Sequence, residues 1–193
     1  MSELPSIAGE ILAGLVAAGD DVWEEARPGA KRTRNHRFVP CDPHAAYTAL
    51  RELRSKATTF IELGSGAGIV TILADLLGFE AYGIELEPWL VERSNELAER
   101  FGSKAIFAEG TFVPADYQDE IEHLAADVHT PTGGADGFEE LGLELVDFDL
   151  VYAFPWPGEE DWLFELMRRH ARSNAILLTY GATEGFCTAD FLE

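Results

Sequence analysis

Thr58-Thr59-Phe60-Ile61-Glu62-Leu63-Gly64-Ser65-Gly66-Ala67-Gly68 runs from a short, mostly apolar stretch straight into three glycines at alternate positions, and the residues beyond have the pattern of a helix. The reading is a strand at 58–63, a glycine turn and a helix at 68–77. The same alternation extends outward in both directions. Strands are expected at 80–85, 104–109, 148–153 and 175–180, and helices at 44–55, 88–101, 116–128 and 159–173. Strands this apolar need cover on both faces, which implies a parallel sheet between helical layers. The expected fold class is therefore α/β, a doubly wound, mostly parallel sheet with helices on both faces. Ligands of such sheets bind at the carboxyl ends of the strands, near the switch in strand order.

Ahead of this series, Ile7, Ile11, Leu12, Leu15, Val16 and Val22 fall at helical spacing within 6–25, and Pro28-Gly29 stops the pattern. A basic stretch at 31–38 leads into Val39-Pro40-Cys41-Asp42-Pro43, held extended by its prolines, with Asp42 placed to cap the next helix. The chain thus divides into 1–43, an N-terminal helix with a connector or lid, and 44–193, the main domain. Residues 129–143, with Pro131, Gly133, Gly134 and Gly137, read as an excursion or mobile loop. After the fifth strand the sheet looks shortened. Either a final antiparallel hairpin is missing, or 184–187 forms one short strand and the edge is covered by another element or a second subunit.

The three glycines let the backbone turn tightly and approach a ligand. A dinucleotide fingerprint would put its third glycine where Ile69 stands, and no Lys-Ser or Lys-Thr pair follows the loop. Nicotinamide, flavin and triphosphate readings are disfavoured accordingly. Glu85 ends the second strand, 21 residues after Gly64. A carboxylate there is placed to accept hydrogen bonds from both hydroxyls of a ribose. Singly, the glycines suit an ordinary tight turn, Glu85 a helix cap and Glu62 a solvent-facing acid. In combination they specify a nucleoside site.

At this point the residues resemble the class I S-adenosylmethionine-dependent methyltransferases. Phe60-Ile-Glu-Leu-Gly-Ser-Gly-Ala-Gly68 is similar to their first motif and Gly83-Ile-Glu-Leu86 to their second-strand acid. Ala108-Glu-Gly-Thr-Phe112 and Asp149-Leu-Val-Tyr-Ala-Phe-Pro155 are similar to the motifs of the third and fourth strands. The resemblance covers roughly 45–180. It implies a Rossmann-like methyltransferase fold and S-adenosyl-L-methionine as cofactor. Glu62, Gly64, Ser65, Gly66 and Gly68 would meet its methionine part and Glu85 its ribose. Leu86 and the turn Glu109, Gly110, Thr111 and Phe112 would enclose the adenine, with either Glu109 or Thr111 at its amino group. Phe154 would complete the cofactor contacts. Independently of the family, acids at Glu62 and Glu85 suit a cofactor that carries a sulfonium and an ammonium.

The substrate is expected beside Phe154-Pro155-Trp156-Pro157, where Tyr152, Pro155 and Trp156 are the candidate contacts. Methyltransferases of nucleic-acid amines that resemble this family carry Asn or Asp where Phe154 stands, so base methylation is not expected. Trp156 either walls an amine-bearing substrate or, with Trp162, packs the following helix against the sheet. Arg37-Phe-Val-Pro-Cys-Asp-Pro43 and the run Glu85 to Leu90 are locally similar to seven-strand protein-lysine methyltransferases, including those acting on ATP synthase subunits. In that comparison Asp42 and Tyr47 would lie at the methionine end as a lid; a helix cap and a buried aromatic are the plainer roles. The acceptor is thus a protein lysine or a small molecule, and a non-catalytic cofactor-binding module is the alternative from another class. Glu159, Glu160 and Tyr152 are the nearest titratable groups, and none is singled out as a base.

Charge narrows the partners. Fourteen Lys and Arg stand against 35 Asp and Glu, a formal charge of -21, so binding to nucleic acid is not expected. Between Ala105 and Leu166 there are sixteen acids and no Lys or Arg, which suits either a solubilising surface or a cationic substrate. Two cysteines exclude a disulfide framework, and five scattered histidines give no metal-ligand spacing. The acidic start and the lack of a long apolar run argue against a signal peptide and a membrane span. The expectation is a cytoplasmic enzyme without metal, either monomeric or a homodimer.

Overall fold

In the computed structural model, which describes residues 6–26, 40–124, 130–181, 185–189 and 191, six strands form a single sheet in the order β3-β2-β1-β4-β5-β6. They are β1 (Thr59–Leu63), β2 (Glu80–Glu85), β3 (Ile106–Glu109), β4 (Leu150–Ala153), β5 (Ile176–Gly181) and β6 (Gly185–Ala189). The first five are mutually parallel and β6 runs antiparallel along β5. The helices are α1 (Gly9–Ala26), α2 (Pro43–Leu53), α3 (Ile69–Leu76), α4 (Pro88–Phe101), α5 (Ala115–Leu124), α6 (Gly137–Leu141) and α7 (Glu160–His170). The sheet is doubly wound, as the sequence predicts. After β1 the chain steps outward through β2 and β3, then returns to the far side of β1 for β4.

Side chains along a strand point alternately to opposite faces, and this divides the core in two. Phe60, Leu150 and Leu178 join Leu15, Leu50, Ile72, Leu73 and Leu97 on one face. Their neighbours Ile61, Val151 and Leu177 join Tyr117, Ile121, Trp162 and Leu166 on the other. Every residue of β4 is buried, because it is central and covered on both sides. That double cover is the reason the strands lack the polar alternation of a half-exposed sheet.

The expected helix boundaries hold to within a few residues where the chain is described. Asp42 caps α2, accepting from the His44 and Ala45 N–H groups at 2.8 and 3.3 Å, with Pro43 in the first turn. Of the helix expected at 116–128, residues 125–128 lie outside the described residues, as do 27–39 with the basic stretch.

The excursion expected at 129–143 needs correction. From Thr130 onward it is stitched to the end of β3 and carries α6. The Thr111 N–H donates to Ala135 O at 2.8 Å, and the Gly137 N–H donates to Thr111 O at 3.0 Å. Asp136 then caps the helix through the Phe138 and Glu139 N–H groups. Gly137 lies so close to β2 that an added Cβ would come within 2.5 Å of Ile84 Cγ2. A glycine read as a sign of looseness is here a condition of tight packing. At the other end of the sheet, β6 supplies the short strand, in register Thr179↔Cys187; Glu184 lies outside the described residues.

Candidate active site

At the carboxyl ends of β1, β2 and β4 the glycine turn opens into a cleft of about 830 Å³. The turn is built from backbone bonds. The N–H groups of Gly64 and Ser65 both donate to Ile84 O at 2.9 Å, and Gly68 N–H closes back on Ser65 O at 2.8 Å. Gly64, Gly66 and Gly68 all have left-handed φ, between 54° and 79°. Gly68 has a second reason to be glycine, since a Cβ would lie 2.6 Å from the Phe107 ring and 2.8 Å from Ser94 Oγ.

Glu85 braces this loop. Its Oε2 accepts from the Gly66 N–H at 2.7 Å and its Oε1 from the Glu87 N–H at 2.9 Å, so one carboxylate joins the glycine turn to the start of α4. Burial pushes its pKa above the ordinary carboxylate range against the pull of these donors. Each oxygen retains acceptor capacity for a further donor from the cleft.

Glu62 is more deeply enclosed, at 5% exposure. Thr71 donates twice to its Oε2, from the backbone N–H at 3.0 Å and from Oγ1 at 2.5 Å. Burial lifts the carboxyl from 4.5 to about 8, and the nearby Glu85 adds to the rise. Two further groups converge there. Burial, reinforced by Glu62, pushes the Cys41 thiol up to about 12. The Tyr152 hydroxyl, hydrogen-bonded to Cys41, is raised well above its ordinary value, first by burial and then by Cys41 and Glu62.

Of the residues expected at the cofactor, Glu62, Gly64, Ser65, Gly66, Glu85, Leu86, Gly110, Thr111, Phe112 and Phe154 line the cleft; Tyr152, Pro155 and Trp156, expected at the substrate, line it too. Two do not. Gly68 sits behind the loop at the start of α3, and Glu109 lies exposed at the end of β3. Thr111 is the one of the Glu109/Thr111 pair that reaches the cleft. The two tryptophans divide their roles. Trp162 is buried against Phe112, with rings nearly parallel at 14° and centroids 6.2 Å apart, whereas Trp156 faces the cleft. Tyr47 packs against the core away from the cleft. Glu159 is buried and accepts from the Thr130 N–H at 3.1 Å and Oγ1 at 2.5 Å, while Glu160 lines the cleft.

The sequence reading missed several walls. Val16, Gly19 and Asp20 come from α1, Thr130 and Pro131 from the excursion, and Gly181, Gly185 and Cys187 from the β5–β6 hairpin. No local motif marks them, since tertiary packing alone brings them in. Among the described residues the lining holds five carboxylates, Asp20, Glu62, Glu85, Glu87 and Glu160, and no Lys, Arg or His. Among the described residues, too, no three His, Cys, Asp or Glu side chains gather as a metal-binding set.

This sheet, its strand order and the placement of its glycine turn constitute the class I, Rossmann-like methyltransferase fold. The chain overlays an RNA methyltransferase from Salinibacter ruber, solved with S-adenosyl-L-homocysteine, with a TM-score of 0.52 and 19% identity over 73% of this chain and 76% of that one. It overlays an O-methyltransferase from Bacillus cereus with a TM-score of 0.53 and 13% identity over 90% and 66% of the two chains. These likenesses are of fold. In sequence, the chain is similar to lysine N-methyltransferases of Xenopus laevis and Homo sapiens that act on an ATP synthase subunit, with 40% and 38% identity over 65 residues. Those residues are 34% of this chain and 29% and 28% of the two relatives, so the match spans under a third of their length. No protein-family model matches the chain.

Proposed function

We propose that the chain binds S-adenosylmethionine in this cleft and directs its methyl group to a cationic acceptor, the side-chain amine of a protein lysine. The observation that carries the reading is the lining, a glycine turn beside five carboxylates with no positive side chain among the described residues. A pyrophosphate or a nucleic-acid backbone would meet like charge there, whereas a sulfonium, an ammonium or a lysine meets opposite charge. When bound, the cofactor supplies an electrophilic methyl carbon.

The remaining chemistry belongs to the chain. The left-handed glycines leave room for close approach to the backbone, and Glu85 offers its spare acceptor capacity to ribose hydroxyls. Leu86, Gly110, Thr111 and Phe112 form the wall for a base. Methyl transfer is an in-line displacement, so alignment and desolvation of the nucleophile dominate. Pro40, Phe154, Pro155 and Trp156 present an apolar surface that strips water from an incoming alkyl chain, and the Trp156 face attracts its charged end by about 0.5–2 kcal/mol. An ammonium must lose its proton before attack. Thr130 engages Glu159, which leaves Glu160 as the carboxylate of α7 that faces the cleft.

The lysine assignment draws support from the lysine-modifying relatives. In domain terms we divide the chain into 1–43, of which Val16, Gly19, Asp20, Pro40, Cys41 and Pro43 wall the cleft, and a cofactor domain at 44–193. We assign the protein to the cytosol, a reducing compartment suited to its free Cys41 and Cys187; among the described residues no helix is long and apolar enough to cross a membrane. We also propose a homodimer across the β6 edge, whose mass light scattering would read.

Calorimetry with S-adenosylhomocysteine, followed by transfer from methyl-labelled cofactor into a fractionated lysate, tests the reading. Label is expected in protein as methyl-lysine. Label in metabolites would reassign the acceptor, binding without label would leave a non-catalytic module, and no binding at millimolar ligand would remove the proposal.

A further inference from the structure

Among the described residues, the surroundings of Glu62 contain its competitors but no partner of opposite charge. From α3 it receives only the two Thr71 bonds, both on Oε2; Oε1 accepts none among the described residues. The titratable groups that face it are Glu85 from β2, Tyr152 from β4 and Cys41 from the segment ahead of α2. Asp42 lies beyond Cys41, and Tyr180 of β5 beyond Tyr152. Asp20, Glu87 and Glu160 are the other acids of the lining. Each of these groups is negative or neutral.

An ionised Glu62 would therefore be a buried anion without a counter-ion among the described residues, the costly arrangement that a carboxyl avoids by keeping its proton. With the carboxyl lifted to about 8, the proton stays in place at neutral pH. Cys41, at about 12, and Tyr152, raised well above its ordinary value, neither give nor take it in that range. A positive charge brought by the ligand would supply the counter-ion that the described residues do not offer.

We propose that Glu62 exchanges its proton for the positive charge of the ligand. As the ligand enters, the carboxylic O–H bond breaks, the proton passes to solvent and the carboxylate pairs with the ligand's ammonium; departure reverses each step. The inference rests on the cofactor reading above and adds that occupancy of the site is coupled to pH. By linkage, affinity for an ammonium-bearing nucleoside should rise by up to about tenfold per pH unit through the neutral range and level off above about pH 8.

The experiment is calorimetric titration of the whole chain at about pH 6.5 in phosphate and in Tris, whose ionisation enthalpies differ, so that the difference in apparent heat counts protons. S-adenosylhomocysteine should release about one proton per site from the wild-type protein and none from Glu62→Gln. 5′-Methylthioadenosine, which lacks both ammonium and sulfonium, should bind the wild type with no release. Binding of S-adenosylhomocysteine without proton release, or an unchanged release from E62Q, overturns the proposal and leaves the cofactor reading intact. Failure of the wild type to bind either nucleoside removes the cofactor reading, and this proposal falls with it. Should E62Q not fold, the two wild-type titrations decide alone, since equal release with both nucleosides refutes the exchange.

Discussion

Replacing Glu62 with Gln should make the unliganded protein more stable, by a margin that grows with pH. The amide oxygen can take the place of Oε2 and keep both Thr71 bonds, at 3.0 and 2.5 Å, so the packing need not change. What changes is the titration. The carboxyl loses its proton near 4.5 in the unfolded chain and near 8 in the fold. Between those values the unfolded state holds fewer protons than the native one, so the native state loses stability as pH rises through the window. At about 1.4 kcal/mol per pH unit, the penalty reaches about 2 kcal/mol near pH 6 and about 3 kcal/mol near pH 7. For a chain of this length each kcal/mol moves the unfolding midpoint by about 2–4 °C. The difference in Tm between E62Q and wild type should thus widen by about 3–5 °C from pH 6 to pH 7 and stop widening above about 8. Scanning calorimetry of both proteins at several pH values measures it, and groups common to both cancel in the difference. A Tm gap that stays constant across the neutral range would refute the reasoning.

Five further substitutions probe other parts of the fold and the site. Gly68→Ala combines a left-handed residue, about 1–2 kcal/mol, with a Cβ 2.6 Å from Phe107, about 1–3 kcal/mol more, and urea unfolding should register the sum. Glu85→Gln leaves either Gly66 or Glu87 without its acceptor, so stability should drop by about 1–3 kcal/mol while calorimetry shows weaker binding of S-adenosylhomocysteine. Burial alone would raise the pKa of Asp149, but the Thr58 and Thr59 N–H groups and Arg172 outweigh it and hold the carboxyl below 3.8. Its contribution is complete at neutral pH and is lost as pH falls through the depressed value, so the stability gap between wild type and Asp149→Asn should shrink in acid unfolding. Trp162→Ala should cost about 3–5 kcal/mol of stability, whereas Trp156→Ala should raise KM for the acceptor.

What could be read from the chain was what local pattern carries. The glycine turn is legible because its conformations belong to its own residues, and the buried sheet is legible because double cover removes polar alternation from strands such as β4. Glu85 was found for its distance from the loop, but its hold on the Gly66 and Glu87 N–H groups depends on how β2 sits beside the turn. Gly68 and Glu109 illustrate the converse, since both belong to recognisable motifs and both lie outside the cleft. Residues joined by packing left no mark. The contribution of Asp20, the seat of Gly137 on Ile84 and the capture of Glu159 by Thr130 all join segments distant in sequence. α6 was hidden because glycines and a proline ahead of it mimic a loop, although Asp136 offered a capping signal.

The division of the core has a consequence for how the cleft opens. β1 and β4 supply side chains to both halves, so the floor beneath the glycine turn cannot loosen without disturbing two cores at once. The walls have no such double anchorage. α1 packs on one face alone, Thr130 is held by its two bonds to Glu159, and β6 closes the sheet with one paired neighbour. Such regions open at a fraction of the global unfolding free energy. The cleft therefore joins a doubly anchored floor to a singly anchored rim, so that local opening at the rim need not disturb the glycine turn.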